Sequence, residues 1–337
     1  MKQRKTTIKL LAVIGCILLG SGVLLAGAGF VGMGFSLNAF THPKGGKVVQ
    51  ETIGYGTIPQ KIDVNFSMGN VIIQGDKTLD EVEVKASSNV YEIYMEFGTL
   101  VVKANDSFMG DNFGAWKWYQ LLNLYPSGNY DVTISLPQAS LESVMAYSHL
   151  GSVEVSNLQV KNLSATASSG NIAVTDVSQS DSMKLSTSMG TVHLENCAGG
   201  DLTLYNDMGN MAMEDCQFET GELVGSSGTI QMWDSTWETL TVENDLGDCL
   251  LENITANETV TCTTSMGNVE LTKLSSPKIH LEADSGNVSG SILGKQEEYR
   301  ISQETDMGDS NLKDQLNGIY TLEVATDMGN IHLEFTQ

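Results

Sequence analysis

Apolar and polar residues alternate along most of the chain, and a glycine interrupts the alternation at regular intervals. Around Gly190, apolar side chains stand at Met183, Leu185, Val192 and Leu194, with polar residues between them. Alternation with a period of two is typical of a β-strand that buries one face. Each copy of the pattern therefore predicts two strands joined by a tight turn at the glycine.

The same phrase returns many times and defines an internal repeat. Between Gly151 and Gly286 the glycines are spaced by 19 or 20 residues. One such unit cannot bury its own apolar face, so successive copies must stack and share a core. The repeat predicts an all-β fold, a parallel β-solenoid with rungs of about 19–20 residues. The predicted turn glycines are Gly69, Gly151, Gly170, Gly190, Gly209, Gly228, Gly247, Gly267, Gly286, Gly308 and Gly329.

The residues around each glycine give three expectations about the turn. Glycine should supply a positive φ that other residues adopt only at a cost. The polar residue after it, such as Asn171 or Thr191, should form a hydrogen-bonded ladder with its copies on neighbouring rungs. The residue before it, often methionine or leucine as at Met189, should fill a corner of the core. Aspartates at several turns would suit calcium, but the Gly-Gly-x-Gly-x-Asp spacing is missing, which favours turn chemistry.

The N-terminal part of the chain differs in composition from the repeat. Residues 1–9 carry four basic side chains and no acid, and residues 10–35 carry no charge. A run of that length spans a bilayer as a helix, and the basic flank favours a cytoplasmic N-terminus. We expect a basic cytoplasmic tail at 1–9, one transmembrane anchor at 10–35, a linker at 36–48 and an extracytoplasmic solenoid domain at 49–337. A cleaved signal peptide and lipidation at Cys16 are the alternatives.

An aromatic insertion at residues 105–129 interrupts the repeat. It is too long for a simple hairpin loop, and it suits either a cap over the first rungs or a contact surface. The residues that we single out for partner contact are Trp116, Trp118, Tyr119 and Tyr125 in the insertion, and Trp233 and Trp237 among the rungs.

The charge and the side-chain chemistry narrow the range of functions that we expect for the chain. The net charge is −23, whereas nucleic-acid binding needs a basic surface. Glutamates recur at one outward-facing position of the repeat. In another rung, Trp233 occupies that position. A solvated face is the favoured interpretation, and a glycan or cation contact is the alternative. Neither a nucleophile–base pair nor clustered carboxylates with a basic residue can be assembled. We therefore expect no catalytic, cofactor-binding or metal-binding residue, and no enzymatic activity.

Four cysteines fall within the repeat. Cys197 and Cys216 take the same position in consecutive rungs, and Cys249 and Cys262 take two different inward positions. We expect all four as small core residues. A disulfide between Cys197 and Cys216 is the alternative that an oxidising exterior would favour.

Two stretches carry a resemblance to a known family. They are the strand Val132-Thr-Ile-Ser-Leu-Pro137 and the turn Ser168-Ser-Gly-Asn-Ile172 with its relatives through Gly329. Over about residues 50–337 the chain resembles a bacterial putative-adhesin β-repeat domain family of unknown function, whose members are often membrane-anchored. The resemblance implies the solenoid architecture and an adhesin-like role, and it supplies no catalytic residues.

These observations lead to one leading hypothesis and two alternatives. The leading one is a single-pass cell-membrane protein whose solenoid acts outside the membrane as a non-enzymatic binding or scaffold protein. Its partners would be another envelope protein or a cell-surface glycan. The first alternative is a regulatory partner of another membrane protein in envelope-stress signalling. A carbohydrate-active β-helix enzyme is the distant second. The sequence also suggests that the last rung lacks a separate cap, which would leave an open sheet edge.

Overall fold

The structure, a computed structural model, describes residues 51–87, 90–105, 129–137 and 139–337. This part of the chain is an all-β solenoid. The predicted tail, transmembrane anchor and linker, and most of the aromatic insertion, lie outside the described residues. Among the described residues no helix has both the length and the apolar character needed to cross a membrane.

The solenoid contains strands that are short on one side of each turn and long on the other. The N-terminal strands are β1 (Glu51–Tyr55), β2 (Lys61–Met68), β3 (Val71–Gly75), β4 (Val82–Ala86), β5 (Tyr91–Glu96), β6 (Thr99–Ala104), β7 (Val132–Leu136) and β8 (Ser140–Leu150). The regular rungs follow with β9 (Val153–Ser169), β10 (Ile172–Ser178), β11 (Ser180–Met189), β12 (Val192–Glu195), β13 (Ala198–Met208), β14 (Met211–Glu214), β15 (Gln217–Ser227), β16 (Ile230–Trp233), β17 (Thr236–Leu246), β18 (Cys249–Glu252), β19 (Thr255–Met266), β20 (Val269–Leu274), β21 (Lys278–Ser285) and β22 (Val288–Leu293). The chain closes with a 3-10 turn (Gln296–Glu298), β23 (Tyr299–Met307), β24 (Tyr320–Met328) and β25 (Ile331–Thr336).

The strands pair in two ladders that β9 connects. The long ladder runs in the order β5, β6, β2, β8, β9, β11, β13, β15, β17, β19, β21, β24 and β23. The short ladder runs in the order β1, β4, β7, β3, β9, β10, β12, β14, β16, β18, β20, β22 and β25. Equivalent strands of successive rungs are parallel and in register, so the predicted parallel β-solenoid of about 19-residue rungs is confirmed.

The core contains the alternating apolar residues that the sequence predicts. In the rung at Gly190, Met183 and Leu185 of β11 and Val192 and Leu194 of β12 are buried. In-register pairing repeats these positions on every rung, for example Leu185 opposite Leu204. The apolar side chains therefore stack in columns along the solenoid, which lets rungs too small to bury a core alone share one.

A second corner has left-handed backbone in the rungs whose turn glycines run from Gly151 to Gly267. It lies six residues after the turn glycine, where Asp215 has a φ of 51° and Asn253 has a φ of 54°. Asparagine and aspartate tolerate this conformation better than other non-glycine residues do. The corner side chains also bond to each other, because Asn253 Nδ2 donates to Asp234 Oδ1 at 2.5 Å. The corner residues are Asn157, Asp176, Asn196, Asp215, Asp234, Asn253 and Lys273.

The N-terminal end departs from the parallel pattern. Among the described strands, antiparallel pairing is confined to β1 with β4, β4 with β7, and β5 with β6. Tyr91 anchors this end from inside, since its hydroxyl lies 2.9 Å from the carbonyl oxygen of Met68 and 2.5 Å from that of Tyr130. Burial raises the pKa of the Tyr91 hydroxyl well above its ordinary value.

At the C-terminal end, the spatial order of the strands differs from their order in the sequence. The expectation of an uncapped last rung is wrong. Strand β24 lies between β21 and β23, so the outermost long strand is β23. The connection between β23 and β24 folds over the exposed edges. Ile301 and Gln315 exchange backbone hydrogen bonds of 2.8 and 2.9 Å. Asn311 pairs with the backbone of Leu333 in β25 through bonds of 2.9 and 3.0 Å. Residues 308–319 therefore form a cap.

Candidate functional site

The turn glycines form a column along one edge of the solenoid, and their backbones approach each other closely. A Cβ atom on Gly209 would overlap the carbonyl oxygen of Gly190, and one on Gly190 would overlap that of Gly170. The same overlap with backbone occurs at all eleven predicted turn glycines. Positive φ, the reason given from the sequence, applies to seven of them. Close approach between rungs is therefore the more general reason for glycine here.

The turns are joined by two sets of hydrogen bonds on their outer side. Gly209 N donates to Ser227 O at 2.9 Å, which links each glycine to the next rung. Thr191 N donates to Asn171 Oδ1 at 2.9 Å, and Asn287 N donates to Asn268 Oδ1 at 2.9 Å. The predicted ladder of polar residues after the glycine is confirmed, and it fixes the turns of successive rungs relative to each other.

A third set of hydrogen bonds lies inside the turn. Three residues before the glycine, where alternation predicts an apolar side chain, a polar one often donates to the glycine carbonyl of the neighbouring rung. Thr187 Oγ1 bonds to Gly170 O at 3.0 Å. The residues that do so are Ser148, Thr187, Asn206, Asn244, Thr264, Thr305 and Thr326. This column was not predicted from the sequence, although polar residues at an inward position were its visible signal.

The residues before the glycines form an exposed apolar stripe, so the expectation that they fill the core is wrong. The large apolar side chains at this position from Leu150 onward are 41 to 63% exposed. The alternation would point them inward, but the chain turns at the glycine that follows, and these side chains lie on the outside of the turn. In spatial order the column, which we call the turn stripe, is Met68, Leu150, Ser169, Met189, Met208, Ser227, Leu246, Met266, Ser285, Met328 and Met307.

Carboxylates flank the C-terminal part of the turn stripe. Asp245, Asp284, Asp327 and Asp306 directly precede stripe residues, and all four are exposed. Asp248 and Asp309 follow the glycine on the other side of the stripe. Within the described residues, the ion pairs of the protein do not include these six aspartates. The result is an apolar line bordered by uncompensated negative charge.

The two tryptophans of the rungs that we predicted for partner contact lie in different environments. Trp237 is 1% exposed and stacks on Phe218 with 5.5 Å between ring centres, so its predicted partner contact is wrong. Its ring occupies the space that Gly221 leaves, since a Cβ there would overlap it. Trp233 is partly exposed in the outward column, between Glu214 and Glu252 of the neighbouring rungs. Its contact role stays a prediction.

The four aromatic residues predicted for partner contact in the insertion are Trp116, Trp118, Tyr119 and Tyr125. They lie outside the described residues, so their role also stays a prediction.

The four repeat cysteines are buried as free thiols, as the core interpretation expects. Cys197 and Cys216 are neighbours on adjacent rungs, and the alternative of a disulfide between them is not realised in this structure. The hydrogen bond with Cys197, together with burial, raises the pKa of the Cys216 thiol. The hydrogen bond with Cys249 and burial raise the pKa of Cys262 in the same way. Raised pKa values and burial make the Cys216 and Cys262 thiols poor nucleophiles.

Other polar groups are spread over separate faces. His280 lies 3.5 Å from both Glu282 and Glu323, whereas His193 pairs with Glu195 at 3.6 Å several rungs away. A polar groove with a volume of about 650 Å³ lies at the second corner of the first rungs, beside Asp76 and Asp176. Hydrogen bonds from Thr78 lower the pKa of Asp76. Among the described residues, no group of three His, Cys, Asp or Glu side chains is arranged to hold a metal ion.

Comparisons with solved structures return putative adhesins and a putative lipid binding protein from bacteria, all at low identity. A putative adhesin from Bacteroides fragilis is 13% identical, with a TM-score of 0.35 over 85% of this chain and 97% of that chain. A putative lipid binding protein from Parabacteroides distasonis is 13% identical, with a TM-score of 0.42 over 85% of this chain and 96% of that chain. A putative adhesin from Parabacteroides merdae is 12% identical, with a TM-score of 0.34 over 87% and 97%.

The comparisons at the level of sequence give a sharper result. No curated protein matches the chain significantly. The family profile described as Toastrack DUF4097 matches residues 59–334, which is nearly the whole solenoid and includes all the turn glycines named above. The chain therefore belongs to the Toastrack DUF4097 family.

Proposed function

We propose that the protein is a membrane-anchored, non-enzymatic binding or scaffold protein whose solenoid recognises a partner outside the cytoplasmic membrane. The observation that carries the proposal is the turn stripe. Methionine and leucine side chains stand half-exposed at one position of most rungs, in a chain whose net charge is −23. A partner that covers such a line gains the free energy of removing apolar area from water.

The hydrogen-bond ladders make this surface rigid before it meets a partner. Each turn is held by the glycine amide, by the polar residue after the glycine and, in many rungs, by the inward donor three residues before it. A preformed surface loses little conformational freedom on binding, so more of the contact free energy appears as affinity. This favours recognition by a fixed edge over a function that needs a mobile lid.

Membrane attachment belongs to the proposal through residues 10–35. Their uncharged length suits a single-pass helix, and the basic residues of 1–9 favour a cytoplasmic tail. The full-length protein should stay with membranes after alkaline carbonate extraction. A protease added to spheroplasts should degrade the solenoid domain while a tag at the N-terminus stays protected. Release by carbonate, or digestion of the tag first, would contradict the anchor.

The binding role is tested by photocrosslinking the full-length protein in bacterial cells. A photoreactive amino acid at Met189 or Met328 samples the turn stripe, and one at Glu154 or Ser164 samples the faces of the two ladders. We expect a defined crosslinked species from the stripe positions and none from the control positions. A second membrane protein as that species would favour the envelope-stress alternative.

Two results would overturn the proposed function. One is the absence of any crosslink at the stripe positions. The other is turnover of a cell-wall glycan by the purified full-length protein, abolished by substitution of a single carboxylate, because that would make it an enzyme.

A further inference from the structure

We propose that the C-terminal part of the turn stripe, formed by Leu246, Met266, Met328 and Met307, docks a cationic amphipathic helix. This inference rests on the proposed function and names the chemical class of its partner. These side chains are 42, 57, 51 and 63% exposed. They follow one another along the solenoid, with Ser285 between Met266 and Met328.

The spacing of the rungs favours a helix over an extended chain. Parallel strands lie about 4.8 Å apart, so the stripe presents one side chain per ~4.8 Å. A helix along the solenoid axis returns an apolar side chain to the same face about every 5.4 Å, whereas an extended strand does so about every 6.7 Å. The flexible methionines can adjust to the remaining mismatch with the helix, as they do at other adaptable binding surfaces.

The charges beside the stripe determine the sign of the partner. In the last five rungs, the position before the stripe residue holds Asp245, Asp284, Asp327 and Asp306, with Ser265 in the remaining rung. The next outward position of the long strands adds Glu243 and other carboxylates, and neither position contains a lysine or arginine. A helix with leucine on one face and lysine or arginine along its flanks matches both the apolar line and its acidic borders.

The same charges disfavour two other occupants of an exposed apolar line. A second copy of the chain carries the same net charge of −23 and would place aspartate against aspartate. An anionic bilayer surface would repel the aspartates on both sides of the stripe. The cationic helix is the occupant that gains from both the apolar and the acidic residues.

The test uses the full-length protein in nanodiscs of zwitterionic lipid and a fluorescent amphipathic helix of about 18 residues built from leucine and lysine. Fluorescence anisotropy gives Kd. A peptide of the same composition with the leucines scattered around the helix, and a peptide with glutamate in place of lysine, are the matched probes. We expect binding of the amphipathic cationic peptide and at least about tenfold weaker binding of the other two.

Two sets of variants locate the site. Serine occupies the stripe naturally at Ser227 and Ser285, so Met266→Ser, Met307→Ser and Met328→Ser together should leave the fold intact and weaken binding about tenfold or more. Asp284→Asn, Asp306→Asn and Asp327→Asn together should weaken binding at low salt and reduce its salt dependence. The controls, Met145→Ser and Glu270→Gln, alter an exposed methionine and an exposed carboxylate on other faces and should leave Kd unchanged.

The outcomes separate this inference from the proposed function. Equal binding of the scattered peptide, no binding of the amphipathic cationic peptide, or an unchanged Kd in the triple serine variant would overturn the helix-docking site. If Met328 in cells crosslinks to a second copy, to lipid or to a protein region without a basic helix, the inference fails while the binding role stands. If the stripe positions crosslink to nothing, the binding role itself fails.

Discussion

At the residue scale, glycine is fixed at the turns by the backbone of a neighbouring rung. Gly170 is not among the glycines with positive φ, yet a Cβ there would overlap the carbonyl oxygen of Gly151. Gly209 combines both constraints, with a φ of 133° and an overlap with Gly190. The residue type is therefore set by the neighbouring rung as much as by its own backbone.

Substitution of Gly209 by alanine should destabilise the protein strongly. The added Cβ overlaps backbone that cannot move without breaking the ladder, so we expect a loss of about 2 kcal/mol or more in the free energy of unfolding. Urea unfolding of the full-length protein in detergent measures it. Gly56→Ala is the control, because no atom lies within 4 Å of the Cβ position there. Equal midpoints for the two variants would contradict the close-approach argument.

Tyr299 should give the protein a pH-dependent stability in the alkaline range. It is buried, its hydroxyl donates to Ser276 O at 3.0 Å, and burial raises its pKa to about 12. The unfolded-state pKa is about 10, so this contribution is fully present below pH 10 and is lost as the pH rises toward 12.

The substitution Tyr299→Phe tests that dependence. It removes the hydrogen bond, so the free energy of unfolding at neutral pH should fall by about 1 kcal/mol, and its decline between about pH 10 and 12 should flatten. Unfolding measured from pH 8 upward shows both effects. Tyr94→Phe, at a partly exposed tyrosine, is the control. An identical alkaline slope in wild type and Tyr299→Phe would contradict the assignment.

At the scale of the element, each rung is a pair of strands whose turn is hydrogen-bonded from both sides. The polar residue after the glycine bonds to the neighbouring rung from outside, as Thr191 does to Asn171. The residue three before the glycine bonds from inside, as Thr187 does to Gly170 O. The inner bond satisfies a carbonyl that would otherwise be cut off from water, which explains a polar residue in an apolar column.

The inward polar residues three positions before the turn glycines should be sensitive to replacement. An apolar residue of the same shape should lower the free energy of unfolding. Thr187→Val keeps the shape but leaves Gly170 O without its donor, so we expect a loss of about 1–3 kcal/mol in the free energy of unfolding. Thr187→Ser keeps the hydroxyl and should lose less. Chemical denaturation of both variants makes the comparison, and a valine variant as stable as the serine variant would show that the bond contributes little.

The sequence predicted the features that follow from period and spacing. The inward columns, the turn glycines and the ladder through Asn171 are local and repeat at fixed intervals, so they were accessible without coordinates. The exposure of Met189 could not be predicted in this way, because alternation points that residue inward and only the turn at the following glycine reverses it. Trp237 was misassigned as a contact since aromatic character does not reveal that Gly221 leaves room for the ring inside. Of the candidate site, the aspartates were considered only as turn residues and as possible calcium ligands.

At the scale of the whole molecule, a solenoid has two ends that a closed barrel lacks. An open strand edge recruits other strands, and proteins usually protect such edges. Here the cap formed by residues 308–319 covers the C-terminal edges, with Gln315 on β23 and Asn311 on β25. The cap also buries Leu312, which holds the connection against the last rung.

Loss of the cap contacts should make the protein self-associate. Asn311→Ala removes both hydrogen bonds to Leu333 and frees the backbone of that residue, on the edge of β25, to pair with another chain. Sedimentation velocity of the detergent-solubilised protein should show association that rises with concentration. Asn317→Ala, at an exposed position of the same connection, should stay like wild type. A monomeric Asn311→Ala variant would show that the edge needs no protection.

The reversed order of the last long strands also restricts when the protein can be completed during synthesis. The regular rungs can add one after another as the chain emerges, because each pairs with the rung before it. Strand β23 cannot add in this way, because the strand it pairs with is β24. Strand β24 is synthesised later and lies between β23 and β21. Ribosome-arrested chains in which residues up to 318 have emerged from the ribosome should therefore leave 299–307 accessible to protease, whereas chains in which 320–337 have also emerged should protect it. Protection of 299–307 in the shorter chain would show that β23 docks without β24. The fold can therefore be completed only after the last residues of the repeat have been synthesised.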